Sequence, residues 1–384
     1  MRPYRHTPQG AVVLSRCLDL APRIAHRTPR ALLAAEISET GVSALLAAQG
    51  VALLNSERLL EVAREVSRAA AEARLWVAFV KGAALYLTKR VPPSARAASD
   101  IDVLIAPEDS LRAVHLMERL GFRPDLGSPP CDHQLPPLHR QEGEVVELHL
   151  FLPGVRLPGQ RAFLGLDALR DEGLLEPIPG MGEVAFAPRA AVLVAHALVH
   201  GIAQHGFAPQ SYPLMRMLAD LCDLGIGEDS SRPAWATAIS LTRDFVSSEE
   251  ASATWDLCSR IRAEDPLEAV LKGGGAAEAL LAHIVAGAQD PSYRRGLKMR
   301  ALGSTPSLLP FPLSLARDVA RSLWPPRAQL LALHPGKASP LSRATSRVAR
   351  PLLQARRAFE SWRSARASRR AKPSVGVESW GKHR

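Results

Sequence analysis

Cysteine is scarce. Four occur in 384 residues, at positions 17, 131, 222 and 258, and no two are spaced as CxxC. That excludes a zinc ribbon and a dithiol redox site, and leaves reduced, mostly buried thiols as the expectation. No apolar run of about 18 residues occurs, so no spanning helix is expected. The apolar stretch near the start, Ala11 to Leu14, is too short for the core of a secretory signal, which makes a cytoplasmic location the default expectation. Most of the chain also lacks a charge excess. The net charge is +10, but of 48 Lys+Arg and 38 Asp+Glu, residues 341–384 hold 12 and two, which leaves 36 of each sign elsewhere. Any affinity for polyanions is thereby restricted to a tail. The tail's aromatics are Phe359, Trp362 and Trp380, too few for a stacking platform. Its expected contact is weak, salt-sensitive association with RNA or an anionic surface.

What is present is ordinary globular composition, 47% apolar, which argues against wholesale disorder. At roughly 100–200 residues per domain, the length suggests two or three domains. Residues 1–55 read as a helical, Ala/Leu-rich segment interrupted by Pro22 and Pro29. Ser56 is placed as the N-cap of a helix with apolar residues at 59, 62, 63 and 66. From there to residue 187 the pattern is mixed: strands at Leu75–Val80, Ile101–Ile105, Val145–Leu152 and Glu183–Ala187, and a helix opened by Pro107 and ended by Gly121. Residues 188–300 read as a helical domain, with helices near 190–204, 212–224, 232–246, 248–263 and 276–288. Prolines at 306, 310, 312, 325, 326, 335 and 340 mark 301–340 as a linker before the basic tail, 341–384.

The chemistry concentrates in one stretch. Asp100 and Asp102 flank Ile101 on a predicted strand, so they project from one face. Two carboxylates about 6–7 Å apart on one face repel unless a cation lies between them. Hard oxygen donors suit Mg²⁺, and a third carboxylate would allow a two-metal site. Glu147 is the candidate; it shares a strand face with His149, while Val146, Leu148 and Leu150 take the other. Upstream, a strand runs into Lys81-Gly82 and then a helix. Glycine there lets backbone N–H groups approach a triphosphate, and Lys81 adds a charge beside it. Arg96, four residues before Asp100, is placed to reach the same phosphates. On this reading Asp100→Asn or Asp102→Asn abolishes metal-dependent activity and leaves the fold intact.

Other polar groups have blander readings. His196 and His200 share a helix face, but Ala197 replaces the glutamate of a metalloprotease helix, so packing near the cleft is the expectation. His205 complements a helix end. Asp132-His133 reads as a loop cap. Arg216 and Asp220, four apart, read as a helix salt bridge.

The segments VKGAAL, R-x-x-S-D-I-D-V-L-I, L-x-x-L-G-F and V-E-L-H-L resemble the nucleotidyltransferase superfamily with the polymerase-beta-like fold, and more narrowly the bacterial uncharacterised nucleotidyltransferase group. A-H-A-L-V-H and R-M-L-A-D-L resemble that group's helical half, so the likeness spans about residues 50–225. The resemblance implies an α+β fold: a mixed sheet with flanking helices, followed by a helical domain. It implies Asp100, Asp102 and Glu147 as metal ligands, with Lys81, Gly82, Arg96 and Ser99 on the nucleotide side. The wider superfamily carries Gly-Ser or Gly-Gly at the turn, where this chain has Lys81-Gly82-Ala83. The implied activity is Mg²⁺-dependent transfer of a nucleoside monophosphate from an NTP, such as ATP, to an acceptor hydroxyl. The alternative is a non-catalytic nucleotide-binding or antitoxin-like protein of the same fold.

Overall fold

A computed structural model describes residues 20–125, 133–160, 162–204, 214–246 and 248–263. The expected 276–288 helix, the linker, the basic tail, Cys17, Cys131, Asp132 and His205 lie outside the described residues. Two short helices, α1 (Ala21–Arg27) and α2 (Arg30–Glu36), begin at the prolines the sequence marks: Pro22 lies in the first turn of α1 and Pro29 caps α2. Proline is tolerated there because a first-turn N–H has no intrahelical partner.

Helix α3 (Glu39–Glu72) corrects the placing of Ser56. The cap is Ser38, whose hydroxyl accepts from the Gly41 N–H at 3.2 Å, and Ser56 lies buried in mid-helix. At 34 residues α3 is about 51 Å long. Its buried stripe, Leu45, Ala52, Ser56, Leu59, Ala63, Val66 and Ala70, keeps the three-to-four spacing of a helix lying on a core. Ser56 is small enough to sit in that stripe and turns its hydroxyl to the Arg96 carbonyl, 3.4 Å away.

Seven strands follow: β1 (Val77–Val80), β2 (Ile101–Leu104), β3 (Arg123–Pro124), β4 (Leu138–His139), β5 (Val145–His149), β6 (Leu175–Pro177) and β7 (Ala185–Pro188). They form one mixed sheet in the order β3-β4-β5-β2-β1-β7-β6. The expected α+β architecture is therefore present, and the four expected strands are its centre. Among them β1 (VAFV) and β2 (IDVL) are buried along their whole length, as strands covered on both faces must be. The very short β3, β4 and β6 were not anticipated; two or three residues carry too little periodicity to read.

Between β1 and β2 lie α4 (Lys81–Leu87) and a 3₁₀ turn at Pro93–Ala95. Helix α5 (Ser110–Arg119) links β2 to β3, and α6 (Leu166–Asp171) precedes β6. The helical half comprises α7 (Ala190–Leu198), α8 (Leu214–Asp223), α9 (Arg232–Thr242) and α10 (Ser248–Ala263). Helix α7 packs on α9 and α8 on α10, and one continuous apolar core joins sheet and helices. A single π-type turn, Val199–Gln204, prolongs α7. At its Gly201 a Cβ would overlap the Met217 side chain, so glycine lets α8 approach closely. Among the described residues no helix is long and apolar enough to cross a membrane.

Candidate functional site

The ladder decides the site. Strands β2 and β5 run parallel with Asp102 opposite Glu147 and Leu104 opposite His149. Neighbouring strands are about 4.8 Å apart, so facing side chains on one surface must meet. Ligand atoms of Asp102, Glu147 and His149 all lie within 4.8 Å of one another. His149 Nε2 is 2.7 Å from Asp102 Oδ1 and 3.6 Å from Glu147 Oε2. Of the three expected carboxylates, Asp102 and Glu147 are brought together and Asp100 is not, while His149 joins them. Glu147 and His149, two apart on one strand face, were the signal for it.

From the other side, antiparallel β1 places Val80 opposite Asp102, and Lys81 follows at once. Lys81 has φ +50°, a left-handed conformation that costs a non-glycine residue about 1–2 kcal/mol. The bend turns its ammonium to the carboxylates, 2.6 Å from Asp102 Oδ1 and 3.9 Å from Glu147 Oε2. Asp100 sits one residue before β2, half-buried, its Oδ1 3.4 Å from the Ser99 hydroxyl. Its carboxylate stands outside the tight trio and joins it through charge alone.

Three carboxylates facing one lysine leave an excess of negative charge, and the protonation tendencies follow. Burial and the charge of Asp102 push the Asp100 carboxyl above its ordinary range. Burial would do the same to Asp102, but the Lys81 ammonium and the His149 hydrogen bond outweigh it and hold that carboxyl far below the usual range. Burial also opposes charge on Lys81, where Asp102, Glu147 and Asp100 prevail and raise it. In His149, burial and Lys81 lower the pKa, and the bonds to Asp102 and Glu147 reverse the sign.

In front of Asp100 and Asp102 lies a cavity of about 130 Å³. Lys81, Gly82, Arg96 and Ser99 line it on the sheet side, and His196, His200, Arg216 and Asp220 on the helical side. Glu147 and His149 are outside its walls. The space left by the missing Cβ of Gly82 is taken by the Arg96 guanidinium. Arg96 is itself clamped: Nε and Nη2 donate to the two Asp220 oxygens at 2.9 and 3.1 Å, and its carbonyl accepts from the Tyr86 hydroxyl. Asp220 also accepts from Arg23 of α1 at 2.6 Å, and Arg23 pairs in turn with Asp223. Burial opposes the Asp220 charge, yet Arg96 and Arg23 lower its pKa to about 2. Asp220 is buried, and this network adds to its helix neighbour Arg216 two partners 124 and 197 positions away. No local signal points to Arg23. Arg216 donates to the Ala97 carbonyl at 2.9 Å and so holds the chain leading into Asp100.

His196 and His200 pack at the cleft, and His133, expected as a loop cap, lies beside His149 instead. His196 and His200 rings are 5.8 Å apart, and the His133 ring is 5.7 Å from that of His149. Burial, with Lys81 and His149 nearby, lowers the His196 pKa to about 3, so it is neutral at ordinary pH.

The donor set fits a divalent cation. Asp102, Glu147 and His149 converge within ligand range, and Asp100 adds charge. A family model described as an uncharacterised nucleotidyltransferase matches residues 8–245. No curated protein matches the chain. That match covers more than half its length, and beside a carboxylate cluster on the middle strands of a mixed sheet and basic side chains lining the adjoining cavity it shows that the chain belongs to the uncharacterised nucleotidyltransferase family.

Proposed function

We propose that this protein transfers a nucleoside monophosphate from an NTP to an acceptor hydroxyl, with a divalent cation of the Mg²⁺ kind. The observation that carries this reading is the register of Asp102 against Glu147 on parallel strands, beside a cavity lined by Lys81, Arg96 and Arg216. The new bond joins the acceptor oxygen to the α-phosphorus, the bond from that phosphorus to the bridging oxygen breaks, and pyrophosphate leaves. Asp100, Asp102 and Glu147 would hold the cation, which would supply charge neutralisation for the transferring group. Glu147 assists removal of the acceptor proton. Arg96 and Arg216 are already fixed, by Asp220 and by the Ala97 carbonyl, so they present positive charge to an anionic ligand without reorganising. Ser99, exposed beside Asp100, adds a hydroxyl at the mouth.

One observation favours the alternative, a protein that binds nucleotide and does not transfer it. Lys81 Nζ already neutralises Asp102 at 2.6 Å. Labelled NTPs offered with Mg²⁺ and a cell extract separate the two. Pyrophosphate release and label transfer that vanish in Asp100→Asn, whose fold is expected to hold, support the transferase. Binding of nucleotide without either product supports the alternative.

A further inference from the structure

We propose that His149 Nε2 is a ligand of the metal, and that the site therefore prefers a divalent first-row transition ion to Mg²⁺. This rests on the metal site of the proposed function and adds to it a nitrogen donor.

Three observations carry it. The first is separation. Two ligands at adjacent corners of an octahedron with bonds of about 2.1 Å lie about 3 Å apart. Nε2 is 2.7 Å from Asp102 Oδ1 and 3.6 Å from Glu147 Oε2, on either side of that value. The second is economy of contact. His149 is 1% exposed, and both of its carboxylate contacts are made by Nε2. Its Nδ1 is buried with no hydrogen-bond partner among the described residues. The atom that faces the carboxylates is therefore Nε2. The third is register. Glu147 and His149 are two apart on β5 and share a face, while Asp102 faces Glu147 from β2. Two adjacent strands thus present O, O and N donors to one point.

The chemistry of that set differs from three carboxylates. Mg²⁺ demands oxygen and retains its waters. Imidazole nitrogen favours the transition ions, whose affinities rise from Mn²⁺ through Cu²⁺. The side chain of Lys81 occupies the same corner, 2.6 Å from Asp102, and would have to move aside for a dication to bind.

Mn²⁺ is the probe. The full-length, metal-free protein is titrated with Mn²⁺ and with Mg²⁺, and the Mn²⁺ complex is examined by pulsed electron paramagnetic resonance. The expected result is a ¹⁴N coupling that becomes a ¹⁵N coupling in protein grown with [¹⁵N]histidine, which needs no substitution. It disappears in both His149→Gln and His149→Asn. Mn²⁺ affinity drops by roughly tenfold or more in those variants, as expected for loss of a ligating contact, and Mg²⁺ affinity changes much less. Bound Mn²⁺ without nitrogen coupling, or coupling that survives both substitutions, overturns the His149 assignment and leaves the transferase reading standing. Failure of the wild type to bind either ion overturns both.

Discussion

Lys81 Nζ stands 2.6 Å from Asp102 Oδ1 and 3.9 Å from Glu147 Oε2, where a cation serving those carboxylates would stand. The chain thus carries an internal counter-ion at the centre of its own candidate metal site. The left-handed backbone at Lys81 is what aims it there.

The first prediction concerns that counter-ion. Lys81→Met leaves Asp100, Asp102 and Glu147 without their ammonium. Removing one partner of a buried ion pair costs about 3–5 kcal/mol, so the metal-free variant should melt well below the wild type. Divalent cation should restore much of the loss by mass action. Equal melting temperatures in metal-free buffer would show that Lys81 carries no such role.

The two aspartates should part company. The sequence alone implies that either Asn substitution leaves the fold intact. In the structure this holds for Asp100, whose charged form is disfavoured by burial and by Asp102. Asp100→Asn should therefore be neutral or stabilising without metal. Asp102→Asn removes the partner of both Lys81 and His149 and should destabilise. The sign follows from its lowered pKa: the Asp102 contribution is present above the unfolded value of about 3.9 and disappears as pH falls below it. Urea melts at pH 7 distinguish the pair.

Asp220 should report on the clamp around Arg96. A carboxyl lowered from 3.8 to about 2 corresponds to about 2–3 kcal/mol of stability at neutral pH. Because the folded pKa is the lower one, that contribution holds above pH 4 and is lost between about pH 4 and 2. Asp220→Asn should lower stability at pH 7, with the gap narrowing in acid. It should also weaken nucleotide binding, since Arg96 is left without its bidentate partner. Nucleotide affinity unchanged in a folded variant would remove Arg96 from the binding wall.

His196 should set part of the acid sensitivity. Its folded pKa of about 3 lies below the unfolded value of about 6.5, so protonation favours unfolding as pH drops below 6.5. At pH 5.5 this one group costs about 1 kcal/mol relative to pH 7.5. His196→Gln should recover that amount, read as a smaller stability difference between the two pH values. An unchanged difference would place the acid sensitivity elsewhere.

Much of this protein was determined locally, because periodicity and turn chemistry act over a few residues. The runs at 77–80 and 101–104 are buried central strands, and the same-face pair Glu147/His149 follows from the two-residue repeat, whereas Asp100 lies before β2 and outside the cluster that Asp102 joins. The helices from α7 to α10 follow from apolar spacing. What periodicity could not supply is which strand lies beside which. Only the tertiary structure set Asp102 opposite Glu147, since hydrogen bonding along a ladder has no local sequence code. It also decided direction. The φ of +50° at Lys81 turns a predicted phosphate ligand onto the carboxylates, and core packing over α3 took Ser56 from cap to interior. Arg96 found its partner 124 residues away because a buried guanidinium must be paired, and Asp220 of α8 is the carboxylate the fold brings within reach.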